Sequence, residues 1–136
     1  MKLTIIILFV ILTVLVLVFL RKGNYEERDF EIQGRKLTVE IADSQKKRTI
    51  GLMGRGHLDE NKGMLFIFQN EAKHGFWMAN TKIPLDIIWM DKDYNVVHVE
   101  QNVQPCTSKI LVNCPTYSPG SPAKYVLEVN AGWWNK

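Results

Sequence analysis

The feature that most constrains this chain is an uninterrupted apolar run near its amino terminus, from Leu3 to Leu20. The run contains no charged residue, no glycine and no proline. At about 1.5 Å per residue, a helix of this length spans roughly 27 Å, enough to cross a thin hydrocarbon core. The residues at its end, Phe19 to Lys22, are not the small residues of a signal-peptide cleavage site. The run therefore predicts an uncleaved membrane-spanning helix, with residues 1–22 as a transmembrane anchor.

The distribution of charge separates this segment from the rest of the chain. Of the 17 Lys and Arg residues, three (Lys2, Arg21 and Lys22) flank the apolar run, whereas all 14 Asp and Glu residues lie beyond it. Residues 23–136 therefore carry 14 basic and 14 acidic side chains and no net formal charge. A nucleic-acid-binding protein normally presents a basic face, so we expect no nucleic-acid partner. Because basic residues lie on both sides of the run, they do not set its orientation.

Beyond residue 22 the hydrophobic pattern becomes that of short β-strands. Apolar and polar residues alternate on either side of Gly34 and Arg35, which predicts a β-hairpin. A short helix is predicted over 45–52, capped by Asp43 or Ser44, and a proline-rich loop over 104–122. Further strands are predicted over 63–68, 75–81, 85–90, 95–103 and 123–129. Seven short strands with frequent Gly and Pro predict an all-β sandwich or barrel with one short helix, preceded by a single transmembrane helix.

Four motifs follow one another in order along this region. They are GLMGR at 51–55, GMLFIF at 63–68, FWMANT with IPLDIIWMD at 76–91, and YVLEVNAG at 125–132. In this order and spacing the chain resembles the domain-of-unknown-function 192 (DUF192) family of small bacterial and archaeal proteins. The resemblance covers most of the chain after residue 36 and implies a compact β-rich domain, often exported or anchored, with no assigned activity. The expected organisation is an anchor (1–22), a spacer with the first strand (23–35) and a β-rich domain (36–136).

Polar residues inside the apolar motifs are the candidates for a ligand-binding site. Asp86 shares its predicted strand face with apolar residues, and a buried carboxylate needs hydrogen-bond partners. If residues 82–84 connect two adjacent strands, Asn80 lies roughly opposite Asp86, and Arg55 can supply a positive charge. Two interpretations follow. One is a structural brace that binds nothing, and the other is a small pocket formed by Arg55, Trp77, Asn80 and Asp86.

Three functional classes stay open on the sequence. The first is a binding or accessory module for a small polar ligand, a glycan or an envelope protein. The second is an enzyme of unrecognised type with Asp86 as general acid or base, which requires this carboxyl at the foot of an open cleft. The third is an extracytoplasmic copper-binding protein, although methionine is also a common core residue. Copper binding requires at least three of Met53, Met64, Met78, Met90, His57 and His74 to converge. No dedicated metal site and no cofactor are expected.

The chain has two cysteines, Cys106 and Cys114, which bracket seven residues within the proline-rich loop. We predict that they form a disulfide, which requires Cα atoms no more than about 7 Å apart. Disulfides persist in oxidising compartments, so this bridge favours an extracytoplasmic domain. The expected location is the cell membrane, crossed once, with the bilayer contacted through the amino-terminal helix.

Overall fold

The computed structural model describes residues 25–136 and six residues of the amino-terminal run. These six are helical and comprise Ile6, Ile7, Phe9, Val10, Ile11 and Thr13. The rest of the predicted span Leu3–Leu20 lies outside the described residues. Within the described part of the chain, no helix is both long enough and apolar enough to cross a membrane.

The predicted hairpin is confirmed as strands β1 (Glu27–Ile32) and β2 (Arg35–Ala42), which pair in antiparallel orientation. Gln33 and Gly34 form its two-residue turn, and both have positive φ angles, 53° and 74°. Two consecutive positive φ values give a turn whose twist matches that of the flanking strands. The turn residues thus fix the pairing register of the whole hairpin.

Six strands form the main sheet, in the order β1-β2-β3-β8-β5-β6. The four not yet defined are β3 (Lys62–Ala72), β5 (Leu85–Met90), β6 (Val96–Val103) and β8 (Ala123–Asn130). β2 and β3 run parallel, joined by a connection that contains helix α1 (Gln45–Ile50). All other neighbours are antiparallel. Two short strands, β4 (Phe76–Trp77) and β7 (Thr116–Tyr117), form a separate ribbon, and Leu111–Asn113 is a turn of 3₁₀ helix.

The mainly β fold with few short helices is confirmed, but the predicted strand over 75–81 is wrong in extent and partner. β4 stops at Trp77 and pairs with β7 rather than with β5. The chain then turns, because the carbonyl oxygen of Met78 accepts from the amides of Thr81 (3.2 Å) and Cys106 (3.3 Å). Asn80 within this turn is left-handed, with φ of 58°. Consequently Asn80 does not lie on a strand beside Asp86, as the sequence interpretation required.

The sheet buries side chains on both faces. Along β5, Leu85, Ile87 and Trp89 join one apolar cluster, which the residues that follow α1 and β4 cover. Ile88 and Met90 point to the other side, into a second cluster. That second cluster includes Phe30 from one edge strand and Val99 from the other, so the sheet curls around it. Nevertheless, the edge strands β1 and β6 share no hydrogen-bond ladder within residues 25–136, and the curled sheet is not a closed barrel.

Candidate functional site

The GLMGR turn follows α1 and places an apolar segment against the sheet. The hydroxyl of Ser44 caps α1 by accepting from the amide of Lys47 at 3.3 Å. Gly51 ends the helix with φ of 49°, a conformation that glycine adopts without strain. A Cβ atom at Gly51 would lie 3.2 Å from the Phe66 ring, so the backbone packs directly on β3 here. The close approach of this turn to the sheet creates one wall of a cavity.

The cavity has a volume of about 280 Å³ and lies between α1, the GLMGR turn, β3 and β4. Leu52, Phe66 and Phe76 are apolar lining residues, and the two phenylalanine rings meet edge to face at 4.8 Å. Trp77, predicted as a ligand-binding residue, also lines the cavity and is 41% exposed. This combination of apolar walls and an accessible indole is typical of small-molecule pockets.

The polar residue most relevant to the chemistry of this cavity is Glu128, on β8. Its cross-strand neighbours are Met64 and Ile87, and its residue surface is only 5% exposed. Among the hydrogen bonds of the described residues, none involves the Glu128 carboxyl. Burial raises the pKa of Glu128 to about 8, so the carboxyl is mostly protonated at neutral pH. The cavity therefore contains a buried acid that the described residues leave without a partner.

Sequence reasoning missed Glu128, although the signal was of the same kind as that for Asp86. In YVLEVN an acidic residue interrupts an apolar strand, just as Asp86 interrupts IPLDIIWM. What the sequence does not reveal is which face of each strand meets a cavity. That depends on how the α1 connection and β4 cover the sheet.

The other charged residue that lines the cavity is Arg48, on α1. Its Nη1 donates to the backbone oxygens of Asp43 and Ile67, both at 2.8 Å. Its guanidinium also lies 5.1 Å from the centre of the Phe68 ring. Arg48 therefore joins α1 to β3, because its guanidinium is held by one backbone oxygen before the helix and one on β3.

Arg55 forms a bidentate salt bridge with Glu40 of β2 rather than with Asp86. The two nitrogen–oxygen distances are 2.5 and 2.6 Å, and both side chains are partly buried. The hydrogen bond from Arg55 to Glu40 raises the pKa of Arg55 above its usual value. The pair joins the GLMGR turn to β2, next to Tyr25, whose ring centre lies 5.7 Å from the guanidinium.

Asp86 is fully buried on the opposite face of the sheet from Ile87. Its Oδ1 accepts from the amide of Asn102 at 2.8 Å, and its Oδ2 accepts from the amide of Trp134 at 2.9 Å. Asp86 does not line the cavity. Both oxygens thus hold backbone segments in place, as the brace interpretation requires, and the open cleft required for general acid–base chemistry is not found around Asp86.

The structure does not bring Arg55, Asn80 and Asp86 together in one pocket. Asn80 is exposed, and its carbonyl oxygen accepts from the amide of Gly54 at 2.8 Å, which ties the GLMGR turn to the β4 turn. Of the four predicted residues, Trp77 alone lines the cavity. A ligand-binding role for the other three stays a prediction that the geometry of the cavity does not support.

The methionines of the copper hypothesis are divided between the two faces of the sheet. Met64 and Met78 are buried in the cluster on the Glu128 face, and Met90 is buried in the other. His57 is exposed and contacts Asp59, and His74 stacks on the Phe68 ring at 3.6 Å. Core packing accounts for the three buried methionines.

The predicted disulfide between Cys106 and Cys114 is present, with a Cα–Cα distance of 5.7 Å. The amide of Cys106 donates to Met78, so the bridged loop is anchored to the turn after β4. Cys106 also packs against the apolar cluster on the Glu128 face. The disulfide therefore supports the segment that carries Trp77.

These features define a small mainly-β domain with a cavity between its sheet and its short helix. The chain belongs to the DUF192 family, described as "Uncharacterized ACR", whose model matches residues 28–136. This match confirms the resemblance seen in the four motifs.

Two solved structures are similar over most of their length. A Sinorhizobium meliloti protein described as a "putative transcription regulator" is 32% identical, with a TM-score of 0.72, over 84% of this chain and 88% of that one. A protein of unknown function from Novosphingobium aromaticivorans is 27% identical, with a TM-score of 0.70, over 82% of this chain and 79% of that one. Among curated proteins, no similar sequence was found.

Proposed function

We propose that the β-domain is a binding module for a small ligand that occupies the cavity beside α1. The observation that carries this proposal is the buried Glu128 carboxyl, which no group in the described part of the chain hydrogen-bonds. Buried polar groups in native structures usually have a hydrogen-bond partner, and a polar group that lines a cavity can find one in the molecule that occupies the cavity. A ligand that hydrogen-bonds Glu128 inside an apolar cavity gives this carboxyl a partner.

The volume of the cavity limits the size of the ligand. About 280 Å³ lies just below the usual range for ligand pockets, which starts at about 300 Å³. At about 30 Å³ per water molecule, this volume corresponds to roughly nine waters and thus to a ligand of about ten non-hydrogen atoms. A single ring with a short polar substituent fits this limit. The apolar walls contact the ring, and Glu128 orients the polar group.

The test is a screen of ring-containing fragments by ligand-observed NMR against the full chain, followed by titration of the hits. We expect Trp77→Leu to lower the affinity of the hits by about tenfold, which corresponds to roughly 1.4 kcal/mol of binding free energy. The matched control is Tyr94→Leu, because Tyr94 is a similarly exposed aromatic residue at the β5–β6 turn. Equal weakening by both substitutions, or no hits at all, would contradict the proposal.

We also propose that this domain is anchored in the cell membrane and faces the extracytoplasmic side. The apolar run Leu3–Leu20 supports the anchor, and the Cys106–Cys114 disulfide supports an oxidising compartment. Fractionation should recover the chain with membranes after alkaline washing, with its amino terminus intact by mass spectrometry. Protease added to intact spheroplasts should digest the domain. A soluble, truncated product would refute the anchor.

The description of the Sinorhizobium meliloti relative raises nucleic-acid binding as another function for this chain. The zero net formal charge of residues 23–136 does not favour it, since affinity for nucleic acid depends on basic side chains that contact phosphates. Gel-shift assays at low salt should therefore show no retardation of random duplex DNA.

A further inference from the structure

Glu40 and Glu128 lie on one face of the sheet, in a cross-strand row that also includes Glu100. Glu40 of β2 lies opposite Met64 of β3, which in turn lies opposite Glu128 of β8. Glu40 is neutralised by Arg55 through two hydrogen bonds. Glu128 has no counterpart to Arg55 among residues 25–136. The sheet therefore presents one paired acid, Glu40, which is partly buried, and one unpaired acid, Glu128, which is more deeply buried.

Among the residues that line the cavity, no cation pairs with Glu128. Arg48 is the other charged residue of the cavity lining, and the backbone oxygens of Asp43 and Ile67 hold its guanidinium. The neighbours that β3 and β5 place beside Glu128 are the apolar Met64 and Ile87. The next acid along the row, Glu100 of β6, contacts His98 at 3.0 Å. A positive charge that pairs with Glu128 inside the cavity would therefore come from a ligand.

The remaining walls also favour a cation. Phe66, Phe76 and Trp77 all line the cavity. Aromatic rings attract ammonium groups through their negative faces, by about 0.5–2 kcal/mol and most strongly where water is excluded. A neutral ligand can hydrogen-bond the carboxyl but gains less from the rings than an ammonium group does, and an anion cannot form an ion pair with Glu128.

We propose that the ligand of this cavity is a small organic cation, a ring-bearing primary amine in its protonated form, whose ammonium group donates to Glu128. This inference rests on the proposed function and specifies its ligand class. Because burial raises the pKa of Glu128 to about 8, binding at neutral pH displaces the carboxyl proton. That proton goes to solvent, and an ammonium–carboxylate pair forms in its place.

The experiment compares three probes of nearly equal shape, benzylammonium, benzyl alcohol and benzoate, by calorimetric titration of the full chain in one detergent. We expect benzylammonium to bind at least about tenfold more tightly than benzyl alcohol, and benzoate to bind most weakly. Glu128→Gln should abolish the preference for the cation and leave the affinity for benzyl alcohol within about twofold. Glu31→Gln is the matched control, because Glu31 is an exposed acid on β1, and it should change nothing.

The outcomes separate this inference from the proposed function. If benzyl alcohol binds as tightly as benzylammonium and Glu128→Gln changes neither, the cation inference is overturned while binding in the cavity stands. If no probe binds and the fragment screen also fails, both proposals fall. Should Glu128→Gln not fold, Glu128→Asp retains the charge and shortens the side chain. It should then keep the order of the three probes with weaker affinities, and loss of that order would overturn the inference.

Discussion

Asp86 and Glu128 are both buried acids on neighbouring strands of one sheet, yet their surroundings are opposite. Asp86 of β5 accepts from two backbone amides, one on each oxygen. Glu128 of β8 lies on the other face, lines a cavity, and has a pKa raised to about 8 by burial. The difference shows that burial by itself does not mark a carboxyl as functional. A buried carboxyl that is surrounded by hydrogen-bond donors braces the fold. One without such donors is available to a ligand.

The two environments differ because the backbone around Asp86 is irregular, whereas the strands beside Glu128 are regular. The amides that contact Asp86 belong to irregular segments, the left-handed Asn102 at a bulge of β6 and Trp134 in the carboxyl-terminal turn. Such amides lack a ladder partner and would be unsatisfied without the carboxylate. Glu128 is flanked by regular ladders on β3 and β5, whose amides are already paired. No backbone donor is left for it there.

The largest effect that we expect is the loss of stability in Asp86→Ala. This change leaves two buried amides without an acceptor, at about 2 kcal/mol each, so the free energy of unfolding should fall by about 4 kcal/mol. Urea melts of the variant and of Glu31→Ala, an exposed acid on β1, provide the measurement and its control. A loss below about 1 kcal/mol would show that Asp86 is not a brace and would remove the contrast with Glu128.

Glu128 should make the free energy of unfolding depend on pH. Its pKa is about 8 in the folded chain and about 4.5 when exposed, so between these values the folded state holds the extra proton. Stability is then highest below about pH 4.5 and falls as pH rises, by up to ~1.4 kcal/mol per unit, or ~3 kcal/mol from pH 5.5 to 7.5. Glu128→Gln should remove this slope. If the slope of stability against pH is unchanged in Glu128→Gln, another group takes up the proton.

Much of the architecture could be read from the sequence because it depends on local pattern. The β1–β2 hairpin, β5 from Leu85 to Met90 and the disulfide follow from alternation, turn residues and cysteine spacing. Even the burial of Asp86 follows from its apolar neighbours. Each of these features is set by residues close together in the chain.

The candidate site could not be read in the same way. Glu128 meets residues of α1 and β4 that lie roughly 50 to 80 positions earlier in the chain. The sequence predicts Arg55 beside Asp86, but the partner of Arg55 is Glu40, on a strand that is parallel to β3, and alternation does not predict that pairing. The sequence also predicts Asn80 on a strand, whereas its positive φ and the hydrogen bonds to the Met78 carbonyl oxygen make a turn. Non-local pairing therefore determined the site.

The disulfide tests whether the two faces of the sheet behave independently. In the chain-entropy model, closing a loop of nine residues stabilises by roughly 2.5 kcal/mol, so Cys106→Ser/Cys114→Ser should lose about that much. Because the loop supports the Glu128 face, we expect its effect to add to that of Asp86→Ala within about 0.5 kcal/mol. Urea melts of the combined variant measure this additivity. Strong coupling between the two changes would show that Asp86 also supports the cavity face.

The smallest expected effect comes from converting Glu40 into a second unpaired acid. Arg55→Met removes the charge that neutralises Glu40 while keeping a side chain of similar length. The Glu40 side chain is only 17% exposed, so the free energy of unfolding at pH 7 should fall by about 1 kcal/mol. The loss is smaller than for a fully buried acid because water still reaches part of this carboxylate.

The charge left unpaired on Glu40, rather than the missing Arg55 side chain, should cause this loss of stability. The control is the double variant Glu40→Gln/Arg55→Met, in which no charge is left unpaired and which should regain most of the stability at pH 7. If urea melts at pH 7 show the single and double variants equally destabilised, the loss comes from packing of the Arg55 side chain. Charge pairing would then not distinguish Glu40 from Glu128. The comparison between these two acids would no longer support a cationic ligand.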